Sequence, residues 1–74
     1  MALEDLYKSI EEHRLVRFTY TNQKGETKTR TCEGYEIRDG KFWGYDIAAD
    51  STRQFFLAMV NDVELLEVTF IPRF

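Results

Sequence analysis

The sequence predicts a mainly β domain with one N-terminal α-helix, its five short antiparallel strands curled into a small barrel. Three observations predict it. Apolar residues recur at helical spacing only near the start; from Leu15 the period drops to two; and Asp39-Gly40 stands between two alternating runs. With 74 residues, 43% apolar and 15% aromatic, the chain suits one thin-cored domain, residues 1–74, rather than a disordered segment.

Leu3, Leu6, Tyr7 and Ile10 form one apolar stripe, which predicts a helix over about 3–13. Glu4 and Asp5 suit its positive start, and His13 and Arg14 its negative end. The barrel is expected over about 15–71. In "LVRFTYT", Val16, Phe18 and Tyr20 share one face and Arg17, Thr19 and Thr21 the other. "NQKGE" supplies a turn in which Gly25 is free to take positive φ. "TKTRTC" alternates as a half-exposed strand does. Asp39-Gly40 then predicts a two-residue type I′ hairpin inside "YEIRDGKFWGYDI". After the loop "AADST", "RQFFL" reads as the fourth strand and "VELLEVTFI" as the fifth, although Leu65 and Leu66 also suit a helix. Pro72 ends it. Closing such a sheet on itself removes bare edges, so an Sm-like or SH3-like barrel is expected.

Composition excludes several functions. Ten Lys and Arg against thirteen Asp and Glu give a net charge of -3, which speaks against wrapping duplex DNA but leaves room for a local basic patch. The single Cys32 rules out an internal disulfide and reads as a small buried thiol in a reducing compartment. The start is acidic and helical, unlike a signal peptide, and no apolar run approaches the ~20 residues a membrane span needs. A cytoplasmic location is expected. One His, one Cys, no Gly-rich phosphate loop and no metal-ligand cluster leave each catalytic constellation incomplete, so neither enzyme chemistry, cofactor nor metal is expected.

The stretch "KFWGYDIAADSTRQFF" carries the candidate site. Lys41, Trp43, Tyr45 and Ile47 point to one side of their strand, and Phe42, Gly44, Asp46 and Ala48 to the other. Trp43 and Tyr45 are thus co-facial, either as a stacking platform or, in the favoured reading, as core. Gly44 is expected to mark a bulge, with close backbone approach as the alternative. Arg17, Lys28 and Arg30 lie on neighbouring strands. If Arg17 and Arg30 face the same side with Arg53 nearby, three cations converge; the favoured reading is ordinary solvated charge neutralised by Glu26, Glu33 or Asp50.

Val16, Phe18 and Tyr20, then Gly25 and Arg30, then Gly44-Tyr45-Asp46, then Arg53-Gln54-Phe55 follow one another at characteristic intervals. In these residues, over about Ile10 to Val60, the chain resembles the WYL domain, a compact barrel of bacterial transcription regulators and defence accessory proteins. The Trp-Tyr-Leu tripeptide itself falls on Gly40-Lys41-Phe42, and Phe56 and Met59 stand where the family places basic residues. The resemblance implies a non-enzymatic module that senses nucleotides or short single-stranded nucleic acid, with only Arg30, Tyr45 and Arg53 inheriting the role; Trp43, Arg17 and Lys28 join the candidate site from their strand placement alone. It also suggests a bacterial or phage-encoded protein. A second reading is self-association: the thin core, the strand edges and Phe70, Ile71 and Phe74 would suit a homodimer or a protein-interaction module.

Overall fold

The computed structural model describes residues 3–74; the first two residues of the expected domain lie outside the described residues. The chain runs α1 (Leu3–Glu12), β1 (Arg14–Thr21), β2 (Thr27–Arg38), β3 (Lys41–Asp46), β4 (Ser51–Phe56), a 3-10 turn (Leu57–Met59) and β5 (Val60–Thr69). The strands form one antiparallel sheet in the order β4-β3-β2-β1-β5. Leu65 and Leu66 lie in β5, so the strand reading holds there. β4 and β5 are opposite edges, yet three residues join them, which requires the sheet to curl until those edges approach. Tyr20 spans the gap: its ring meets Phe55 edge-on at 4.9 Å, and its hydroxyl accepts the Phe56 N–H at 3.1 Å.

The inner face is read from the strand period. Val16 and Phe18 of β1, Cys32 of β2, Phe42 of β3, Phe55 of β4 and Val60 of β5 are buried together with Leu6 of α1. Phe18 stands edge-on to Phe42 and Phe55, with centroids 5.9 Å and 5.1 Å away, the arrangement aromatic quadrupoles favour. Trp43 and Tyr45 point the other way and are only half-buried. This overturns the favoured reading of both as core, because Phe42 and Asp46 take the inward parity of β3.

Helix α1 closes the end of the barrel where β1 begins. Leu6 is buried while Tyr7, expected on the same stripe, is exposed. Ser9 is fully buried and donates to Arg14 O at 2.6 Å. The helix crosses β2 so closely that a Cβ on Gly34 would stand 2.6 Å from Ser9 Oγ and 3.2 Å from Ile10 Cγ1. Gly44 plays a related part. It carries no bulge; a Cβ there would meet Glu33 O at 2.9 Å and Phe42 Cε2 at 3.1 Å, so close approach is its reason. The bulge lies in β2 instead, where Gly34 and Glu36 pair with the adjacent Gly44 and Trp43 and leave Tyr35 as the extra residue.

The turns follow their sequence signals. Asp39 and Gly40 have φ of 54° and 73°, as a type I′ turn requires. In "NQKGE", Asn22 Oδ1 accepts from the Lys24 and Glu26 N–H groups at 2.9 Å and 3.0 Å, and Gly25 takes φ 84°. His13 lies just past the helix with φ 53°, and its carbonyl accepts the Phe70 N–H at 2.8 Å.

Candidate ligand-binding site

Strand register builds the site. Asp46 pairs with Cys32 across β2 and β3, and Gly44 with Arg53 across β3 and β4. Arg30, two residues before Cys32, and Arg53 therefore lie diagonally on either side of Asp46, within reach of long side chains. Asp46 is fully buried. Arg30 Nη1 donates to its Oδ2 at 2.8 Å, and Arg53 Nε stands 3.9 Å from the same oxygen. A carboxylate withdrawn from water needs such partners. One carboxylate against two guanidinium groups leaves a positive excess, and Arg53, nearly half exposed and loosely held, is the cation free to turn outward.

The two arginines open onto a groove of about 410 Å³ at the end of the barrel opposite α1. Tyr20, Asn22, Thr52, Gln54 and Phe55 complete its lining. A shallower depression of about 330 Å³ shares Tyr20 and Asn22 and continues past Gln23 to Lys24 and Glu26. Lys28 pairs across the strands with Tyr20, so it stands exposed at the groove's flank, without an ion-pair partner among the described residues. The buried Arg30 Nε–H finds no acceptor on the protein. Such a group costs about 1–3 kcal/mol until an oxygen meets it.

The other sequence-selected residues lie elsewhere. Arg17 pairs with Thr31, not with Arg30, and so faces the opposite side of the sheet, where it bonds Glu64 at 2.5 Å. It does not converge with Arg30 and Arg53. Nor do the carboxylates expected to neutralise the cluster do so. Glu26 accepts from Asn22 Nδ2, Glu33 binds Arg73, and Asp50 accepts the Tyr45 hydroxyl. Trp43 and Tyr45 share the outer face, away from the groove. Arg38 lies 5.9 Å above the Trp43 ring, and Arg73 covers Tyr45 at 3.9 Å. Cys32 is buried beside its cross-strand partner Asp46; burial first, and the Asp46 charge second, push its thiol up to about 12.

Sequence reasoning missed Tyr20 and Asp46 as site residues. The signal for Tyr20 was its parity with Val16 and Phe18 at the last inward position before the turn. For Asp46 it was a carboxylate on the same parity as Phe42, which demands a cationic partner. Glu33 and Arg73 meet across forty positions and carry no local signal.

A helix-capped, curled five-stranded sheet with a cationic groove at its open end defines a class, the small β-barrel domain. Within that class, the chain belongs to the WYL domain family, whose model matches residues 1–65. Membership makes it a module of the regulatory sensing and binding kind. Among solved structures it is similar to Proteasome accessory factor B/C (PafBC) of Arthrobacter aurescens, with a TM-score of 0.77 at 23% identity. That similarity covers 92% of this chain and 11% of the other, and it shows a shared fold. No curated protein matches the chain. No helix among the described residues is long and apolar enough to cross a membrane.

Proposed function

We propose that the domain is a non-enzymatic sensor that binds a nucleotide or short single-stranded nucleic acid in the groove between Arg30 and Arg53. The observation that carries this reading is the gathering of two guanidinium groups, from separate strands, on one buried carboxylate beside Tyr20. Arg53 releases its long contact with Asp46 to meet a phosphate, while Arg30 keeps the carboxylate neutralised. Charge-assisted pairs of this kind are the strong ones, and a base stacked on an aromatic ring adds roughly 1–3 kcal/mol. Lys24 and Lys28 extend the cationic path along the continuing depression, which suits more than one nucleotide. Tyr45 and Trp43, on the outer face, serve only a strand long enough to pass around β3.

The test is fluorescence anisotropy of a labelled short oligothymidylate at several salt concentrations. Affinity weakens with salt, by a slope of about -0.7 per phosphate contact. Arg53→Ala lowers it about 10- to 100-fold, the value of a lost charge-assisted bond. Arg17→Ala, on the opposite face, leaves it unchanged. Equal binding by the Arg53→Ala chain and the unmodified one contradicts the assignment.

A second reading, a homodimer or protein-interaction module, is favoured by exposed apolar residues on and after an edge strand: Val68 at 57%, Ile71 at 89% and Phe74 at 79%.

A further inference from the structure

After β5 the chain leaves the sheet and turns back across the outer face of β2 and β3. Phe70 packs edge-on to His13 and Tyr35, at 5.6 Å and 5.7 Å, and Phe74 to Tyr35 at 5.1 Å. Between them Arg73 lies over the Tyr45 ring, its Cζ 3.9 Å from the centroid. Its Nε donates to both oxygens of Glu33, at 3.1 Å and 3.3 Å, and its backbone N–H donates to the Tyr35 hydroxyl at 3.0 Å. That hydroxyl in turn donates to Glu33 at 2.5 Å.

We propose that Glu33, Tyr35 and Tyr45 form a recognition site for an arginine side chain. Arg73 fills it in cis, and an arginine-bearing peptide segment of a partner protein displaces Arg73 from it. The site is built into the sheet, not into the segment that occupies it. Glu33 sits mid-strand at 4% exposure, where a carboxylate stands only if a cation and hydrogen bonds meet it. Its cross-strand partner Tyr45 supplies the ring face, and the β2 bulge re-aims Tyr35 to complete the edge. A guanidinium satisfies both walls at once, its plane on the ring and its Nε–H on the carboxylate; an ammonium has no plane to lay on the ring.

The occupant is held lightly. Residues 70–74 have no regular structure, and Ile71 and Phe74 are largely exposed, so this segment belongs to the part of the molecule that opens at low cost. Phe70 and Phe74 on Tyr35 indicate that the competing peptide carries apolar or aromatic residues beside its arginine. This site is on the face opposite the Arg30–Arg53 groove and does not rest on the reading of that groove.

The experiment follows backbone and side-chain NMR signals of the full chain. In Arg73→Ala, N-acetyl-arginine amide shifts Glu33, Tyr35 and Tyr45 and binds about tenfold or more tighter than N-acetyl-lysine amide, the margin that a guanidinium plane laid on the Tyr45 ring adds to the charge-assisted contact. Adding Glu33→Gln to that variant abolishes the shifts. In the unmodified chain, excess acetyl-Ile-Pro-Arg-Phe-amide moves the Phe74 signals to free-chain positions. Arginine and lysine probes that bind alike overturn the proposal. So do shifts that survive Glu33→Gln, or Phe74 signals that stay fixed under excess peptide.

Discussion

Asp46 shows how a single residue organises the candidate site. It lies on the inward parity of β3, fully buried, and draws Arg30 and Arg53 to one oxygen. The alternation that put Asp46 beside Phe42 was legible in "KFWGYDI". Its choice of partners was not, because diagonal contacts depend on register across two hairpins. Nearby carboxylates in sequence proved the wrong guide: Asp50 meets the Tyr45 hydroxyl, and Glu33 is buried beneath Arg73 on the other face of the sheet. Cys32, by contrast, was legible as a structural thiol, since no second cysteine or suitable histidine lies close to it in sequence. Its pKa is raised from 9.0 to about 12 by burial first and by Asp46 next. The folded thiol therefore keeps its proton where the unfolded one loses it. Its contribution to stability is full below pH 9.0 and is lost as pH rises toward about 12. In native buffer near the ordinary thiol pKa, a disulfide reagent should leave Cys32 intact, and denaturant should expose it at once. Rapid labelling of the native chain contradicts this burial.

Elements meet where small residues let them. The helical stripe in "LEDLYKSI" and the Asp39-Gly40 hairpin were readable, since each follows from local period and turn chemistry. The crossing of α1 over β2 was not, although it explains Gly34. With Ser9 Oγ 2.6 Å and Ser9 Cβ 3.1 Å from a Cβ at that position, Gly34→Ala forces helix and strand apart. Overpacking of this kind costs about 1–3 kcal/mol, which lowers the melting temperature by roughly 5–20 °C in a domain this small. An unchanged melting temperature would show that α1 is not seated there. The β2 bulge escaped the sequence reading for a related reason. An extra residue leaves the alternation looking merely imperfect, and Gly44 drew the suspicion that belonged to Tyr35.

For the molecule as a whole, the sheet's curl separates two faces that the sequence could not tell apart. Arg30 and Arg53 open onto the groove at the end away from α1. Trp43, Tyr45 and Arg17 lie outside it. The fold class was accessible because five short strands and their turns leave few alternatives. Of the candidate groove, Arg30 and Arg53 stood out in the sequence by their strand positions, whereas the ring that lines it beside them, Tyr20, did not. Edge strands β4 and β5 and the exposed Ile71 and Phe74 bear on association. Under the dimer reading, sedimentation at high micromolar concentration gives twice the monomer mass with little dependence on salt, since apolar pairing is not screened. A monomer throughout counts against it.

The most direct measurement of the central claim is a chemical-shift titration of the full chain with a short oligothymidylate, residue by residue. The account predicts that Arg53, Gln54, Tyr20 and Asn22 move together and saturate, while Trp43 and Arg17 stay still. Shifts confined to the outer face, or none at all at millimolar ligand, would contradict it.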